Sequence, residues 1–270
     1  MIIRPIAVAA FALGLVATPA AAAAPPQIKC PSTNCIQLAT GLGEPVDTAE
    51  DSHGNLFITY QNGELRKVVP STGQNTQIAT GLGNLRGLAL DNQGSAYLAN
   101  FNGQLQKVNL TTGAKSIVFT NSTSLHAVAY SAGAAYVSTG SGELWQITVD
   151  QPPRKLAANI GYTETIALDN KDNAYTGDMF GNRIQRTNLI TGTTRTVTTT
   201  SYEMTSVSVG TDGCIYFALG SEVWQLDPET SQKRVVAQLP PSAFRWNLQA
   251  DGSLLLPGST TYRIKALPQS

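Results

Sequence analysis

Charge is what this sequence has least of. Only 13% of its 270 residues are Asp, Glu, Lys or Arg, and 18 cations balance 18 anions. That is about half the charged share of an average soluble chain. No basic stripe is present, so the electrostatic footprint of a nucleic-acid binder is missing, as is a polybasic anchor for an anionic membrane surface. Histidine is nearly absent, with only His53 and His126 in the chain. Imidazole chemistry therefore rests on very few residues. No Gly-x-Ser-x-Gly phrase occurs, which excludes the nucleophile elbow of an α/β-hydrolase. After residue 25 there is no helical periodicity of useful length. Nor is there any later apolar run of the ~20 residues needed to span a bilayer.

Cysteine is also scarce: Cys30, Cys35 and Cys214. An odd count leaves one thiol unpaired or paired outside the chain. Cys30 and Cys35 flank the turn-prone "PSTN" and form the simplest pair. Cys214 opens the apolar run "CIYFAL" and reads as a buried thiol acting as a small hydrophobe. Its pairing with Cys30 or Cys35 stays open. No Cys-x-x-Cys and no nearby His suggest a metal at these positions.

What is present begins with a separable leader. Arg4 precedes the apolar "IAVAAFALGLVA", and small residues crowd "TPAAAAAPP". This is the pattern of a secretory signal peptide. Residues 1–24 are expected to be removed, and a secreted or extracytoplasmic protein, in a compartment that permits disulfides, is expected.

The rest of the chain repeats. "LATGLG" at 38–43 returns as "IATGLG" at 78–83. Turn glycines Gly54, Gly94, Gly133, Gly213 and Gly252 follow a spacing of about 40 residues, with Asn173 expected in the vacant slot. A second column follows: "NGELRKV", "NGQLQKV", "SGELWQI", "GNRIQRT", "SEVWQL" and "TYRIKAL". Each copy carries four short segments rich in Val, Ile, Leu, Thr and aromatics, separated by Gly, Asn, Asp or Pro, which are strand and turn signals. Four strands per unit and six units predict an all-β chain, a six-bladed β-propeller over residues 25–270 with four-stranded antiparallel blades. Copy six ends without its fourth strand, whereas "CIQLAT" precedes copy one and matches a fourth strand. Residues 35–40 are therefore expected to pair beside 262–267 and close the ring. Closure removes an open sheet edge.

The phrase "GDMFGNRIQRTNLITG" resembles the NHL repeat, with its Asp, short turn and Asn-Arg-Ile. "GLGEPVDTAEDSHGNLFIT" and "NLRGLALDNQGSAYLAN" resemble the start of the same repeat. The wider six-bladed relatives include the gluconolactonase and senescence-marker-protein family. That resemblance implies a divalent metal on the propeller axis, bound in part by a Glu, and Glu44 in "GEPV" is similar to that Glu. It also favours hydrolysis of an ester or lactone. NHL propellers, by the same resemblance, serve as binding platforms.

Propeller ligands bind where inner strands begin. The loops entering those strands offer Glu44, Arg86, His126, Glu164, Glu203 and Arg245, with Tyr162, Tyr202 and Trp246 alongside. The loops joining second and third strands offer Tyr60, Asn62, Asn100, Phe101, Asn102, Asp178 and Phe180. Arg86, His126 and Glu164 fall in nearly equivalent slots, so a cation, an imidazole and a carboxylate are expected at one mouth. Such a set polarises a carbonyl and moves a proton. His126 is read as general base or metal ligand, Arg86 as the holder of an anionic or carbonyl oxygen, and Glu164 as the group orienting His126. Tyr60, Asn100, Phe101, Tyr162, Asp178, Tyr202, Arg245 and Trp246 are read as substrate-binding. A metal set of Glu44, His126 and Glu164 suits zinc or manganese, and calcium is the third candidate. His53, Asp51, Asp91 and Asp169 fall in turns of the opposite face, the aspartates as turn formers. Two readings follow: a secreted, monomeric enzyme acting on a small molecule at the mouth, or a non-catalytic module binding a glycan, peptide or extracellular protein.

Overall fold

The computed structural model describes residues 24–201, 204–240 and 246–265. The expected leader falls outside them apart from Ala24, and so do Tyr202, Glu203 and Arg245. The described residues form six four-stranded antiparallel sheets. Five sheets are built in chain order, from inner to outer strand. Their inner strands are Pro45–Glu50, Leu85–Leu90, Leu125–Ser131, Ile166–Leu168 and Met204–Val209. The sixth inner strand is Asn247–Leu248.

The sixth sheet closes as the repeat predicts. Cys35–Ala39 lies antiparallel to Thr261–Ile264, with Cys35 opposite Ile264 and Ala39 opposite Thr261. The amino-terminal segment is also tied to blade five, because Ile28 N donates to Gln238 O at 2.8 Å and Gln238 N to Pro26 O at 3.0 Å. A Cys30–Cys35 disulfide closes the small loop between these ties, and Cys35 is 1% exposed. Constraining a loop this short contributes about 2 kcal/mol in the chain-entropy account. Reduction, or Cys30→Ser with Cys35→Ser, is expected to lower Tm by roughly 4–8 °C for a domain of this size. An unchanged calorimetric Tm in dithiothreitol would contradict that assignment. Cys214 takes no part in the disulfide and is half-buried, more open than a core thiol. Burial, then the adjacent Asp212 carboxylate, push its thiol above the ordinary cysteine value.

Burial on both sheet faces explains why the strands do not alternate. Every residue of the second strands Ser95–Asn100, Ala134–Thr139 and Asn173–Asp178 is buried. The core lies between blades. Tyr97, Ala99 and Leu105 of blade two pack on Leu125, Ala135, Val137 and Ile147 of blade three. Turn aspartates build the opposite face: Asp51 Oδ1 accepts the N–H groups of His53 and Asn55. Asp91 and Asp169 do the same for Gln93 and Ser95, and for Lys171 and Asn173. One slot differs from expectation. In blade four Asp172, at φ 58°, takes the left-handed turn position that glycine fills elsewhere. Asn173 instead begins the second strand.

Inner strands are clamped to one another by side chains. Leu88 N donates to Asp47 Oδ2 at 2.9 Å, Trp246 N to Ser206 Oγ at 2.9 Å, and Asn247 Nδ2 to Thr48 O at 2.8 Å. The inner strands of blades two and three approach closely at Gly87. A Cβ there would lie 2.8 Å from His126 O and 2.9 Å from Val128 N. Backbone atoms cannot swing aside as a side chain can. Gly87→Val is expected to destabilise by roughly 1–3 kcal/mol, read from the urea midpoint. A midpoint equal to wild type would show that this contact is not tight.

Candidate functional site

The β-ladder places Arg86, His126 and Glu164 in one slot. Leu85 pairs with Asn100 as Leu125 pairs with Thr139, one residue before Arg86 and His126. Ile166 pairs with Thr176 as Leu88 pairs with Leu98, two residues after Glu164 and Arg86. The side chains then diverge. The Arg86 guanidinium lies 5.0 Å from the Phe101 ring centroid, and its buried Nε has no hydrogen-bond partner among the described residues. Phe101 meets the His126 ring edge-on at 6.0 Å. His126 meets Tyr162 at 4.5 Å, and Tyr162 meets Phe180 at 5.0 Å. A continuous arc, Arg86–Phe101–His126–Tyr162–Phe180, thus crosses blades two, three and four. Phe101 is 48% exposed and Phe180 is 70% exposed, so the arc offers aromatic surface to solvent.

His126 itself is only 2% exposed. Its Nε2 lies 2.8 Å from Ser124 Oγ, two residues earlier. The fit depends on Gly140, where a Cβ would stand 2.4 Å from Ser124 Oγ and 3.2 Å from His126 Nε2. Ser138 fixes the arc from behind. Its hydroxyl accepts Ala127 N at 2.9 Å and donates to Thr163 O at 3.1 Å. The residue after His126 is thereby tied to the residue after Tyr162. Beside the pair, Gly140, Ser141, Gly142, Asn159, Tyr162 and Arg183 line an open hollow of about 270 Å³.

Glu164 takes a different direction. It lines an axial cavity of about 290 Å³ together with Asp47, Glu50, Thr205, Ser206 and Asn247. Glu44 is exposed ahead of the first inner strand. Among the described residues no three His, Cys, Asp or Glu side chains are grouped so as to hold a metal. The ligand set Glu44, His126 and Glu164 therefore does not fit a divalent ion: its members face solvent, an aromatic cage and the axial cavity respectively.

Several residues expected to bind substrate have structural duties instead. Asn100 is fully buried. Its Oδ1 accepts the N–H groups of Asn102 and Gln104, and its Nδ2 donates to Leu82 O. Asp178, 4% exposed, holds the matching turn in blade four. It accepts Gly181 N at 3.0 Å and Arg183 Nε at 2.9 Å. This explains the Asn-Arg-Ile phrase: Asn182 takes a left-handed φ of 47°, and Arg183 neutralises the buried carboxylate. Trp246, 1% exposed, belongs to the core between blades five and six and also lines the axial cavity. Tyr60 packs on Leu42, Leu56 and Ile58 of blade one, and burial raises its phenol above the ordinary value. His53 is exposed in its turn, its side chain 82% accessible.

A larger hollow, of about 540 Å³, lies away from the mouth, lined by Asp169, Lys171, Tyr175, Arg186, Asp212 and Glu229 at the turn ends of blades four and five. Asp212 there accepts from Tyr216 OH, Gln225 Nε2 and Cys214 N. Burial opposes ionisation of Asp212, but these hydrogen bonds outweigh it and hold the carboxyl below its usual range.

The geometry defines a six-bladed β-propeller with a cationic–aromatic arc at its mouth. No family model matches the chain, and no curated protein does. Solved structures match in fold. The gluconolactonase XC5397 of Xanthomonas campestris superposes with a TM-score of 0.73 at 13% identity, over 92% of this chain and 96% of that one. A streptogramin B lyase gives 0.67 at 13% identity, over 80% and 77%. A chain of a nidogen/laminin complex gives 0.64 at 13% identity, over 74% and 84%. At such identity the likeness is one of fold alone.

Proposed function

We propose that this protein is an exported enzyme that hydrolyses an ester or lactone of a small molecule at the propeller mouth, with His126 moving the proton. One observation carries the reading: the only mouth imidazole is held edge-on between Phe101 and Tyr162, with the Arg86 cation over the same Phe101 ring. Apolar walls with a few convergent polar groups suit a small ligand. Arg86 would face the oxygen on which charge develops, where a cation is worth most. The leader pattern, the Cys30–Cys35 bond and the fold shared with a gluconolactonase support the same reading. The test is turnover of a panel of p-nitrophenyl esters and five- and six-membered lactones. Because Glu44, His126 and Glu164 do not converge, hydrolysis is expected to survive dialysis against EDTA. Absence of turnover across the panel would remove the reading.

The exposure of Phe101 and Phe180 favours a second reading, a non-catalytic surface for a glycan, peptide or protein. Aromatic anchors dominate such surfaces. Glycan or peptide binding that is lost in Phe180→Ala, with no ester turnover in the wild type, would decide for it.

A further inference from the structure

The Ser124–His126 pair carries a step that neither the fold nor the mouth arc requires. We propose that Ser124 is a covalent nucleophile and that hydrolysis proceeds through an acyl-serine intermediate rather than by direct attack of water. The inference rests on the esterase reading above and sharpens it to substrates that transfer an acyl group.

Three observations lead there. Ser124 Oγ and His126 Nε2 are 2.8 Å apart, the reach expected of a nucleophile and its base. Ser124 as a residue is half-buried whereas His126 is 2% exposed. The serine is therefore the member of the pair a substrate can reach, and the histidine stands behind it. Gly140 leaves room at that point: any side chain there would overlap Ser124 Oγ. Beyond Gly140 lies the hollow lined by Ser141, Asn159 and Tyr162, large enough for an acyl or leaving group. Ser124 is the last loop residue before the strand Leu125–Ser131, and His126 is the second residue of that strand. One short stretch of chain thus supplies both groups, which is why no separated triad is visible in the sequence.

The chemistry balances without a co-reactant other than water. The Ser124 Oγ proton passes to His126 Nε2 as the Oγ–carbonyl carbon bond forms, and the carbonyl π pair moves onto its oxygen. Collapse breaks the ester C–O bond. The leaving alkoxide takes the proton from His126. In a lactone it stays attached as the hydroxyl of the ring-opened acyl group. Water then gives a proton to His126 and its oxygen to the carbonyl carbon. Ser124 leaves with that proton, and the acid is released.

The experiment is labelling of the folded wild-type protein with a fluorophosphonate, followed by intact mass and peptide mapping. It is run beside p-nitrophenyl acetate kinetics and thermal melts. A single adduct on Ser124 is expected, absent from Ser124→Ala, from His126→Gln and from heat-denatured protein. Turnover is expected to fall by roughly 10³-fold or more in Ser124→Ala, with Tm within a few degrees of wild type. Ser124→Cys, which keeps a nucleophile in place, should react with iodoacetamide faster than does Cys214. Turnover without a Ser124 adduct, or retained in Ser124→Ala, overturns the nucleophile and leaves the esterase reading standing, with His126 activating water. A Ser124 adduct without turnover of any ester or lactone upholds the activated serine and removes the esterase reading. Neither adduct nor turnover removes both.

Discussion

Deleting residues 24–40 is expected to abolish cooperative folding, the largest effect foreseen for any change to this chain. The segment supplies a whole strand of the sixth sheet, Cys35–Ala39. Without it, Thr261–Ile264 becomes an open edge of the kind that pairs with other chains. Cys35 also packs in the cluster of Trp246, Leu254, Leu256 and Ile264, which would lose its cover. The ties to Gln238 go as well, so blade five loses the strap that binds it to blade six. Each backbone hydrogen bond lost costs about 1 kcal/mol and each buried aliphatic side chain exposed about 1.5–3 kcal/mol. A domain holds only about 5–15 kcal/mol in total. The deleted protein should therefore show a broad melt, dye binding and aggregation. A circular permutant provides the control. Lys265 N donates to Asn34 O at 2.9 Å, so the closing strand can follow residue 265 through a short hairpin. That permutant, with the same strand moved behind residue 265, should melt cooperatively. A sharp wild-type-like melt of the deleted chain would show that the ring does not depend on this strand.

His126→Gln is expected to lower ester or lactone turnover by about 10²–10⁴-fold, the usual contribution of a positioned acid–base group. Glutamine nearly fills the site and can still meet Ser124 Oγ, so Tm should move little. His126→Ala should lose the same activity and more stability, because a side chain that is 2% exposed leaves a cavity behind. The loss should appear in kcat. Phe180→Ala, which trims a 70% exposed ring at the end of the arc, should instead raise KM. Turnover of His126→Gln within tenfold of wild type would remove His126 from the chemistry, whatever binds at the mouth.

Much of the architecture was legible because its causes are local. A turn needs a residue that tolerates positive φ, and a strand needs a short β-prone run; both recur every 40 residues or so. Asp51, Asp91 and Asp169 reveal themselves as turn formers because their acceptors bind N–H groups only two and four residues on. The misplacement of the blade-four turn at Asn173 rather than Asp172 shows the margin. Asn and Asp both tolerate the left-handed region, and neighbouring polar residues do not say which one takes it.

The mouth was only partly legible. The slot shared by Arg86, His126 and Glu164 follows from counting along each repeat. What each side chain meets does not. Asn100 and Asp178 looked like display residues because they stand at loop ends, yet their acceptors close those same loops. Ser124 went unselected because adjacency in sequence carries no information on reach.

Period, strand count, turn chemistry and the closing strand were thus determined by the sequence alone, since each depends on residues within one repeat or on the arithmetic of a missing strand. The tertiary structure decided which polar groups are structural and which stay available. It also decided that His126 is gripped by Phe101 of blade two and Tyr162 of blade four, and that Gly140 admits Ser124. Those contacts join residues from different blades or different strands. Only the closed ring brings them together, because packing between blades, and not local chain geometry, sets their distances.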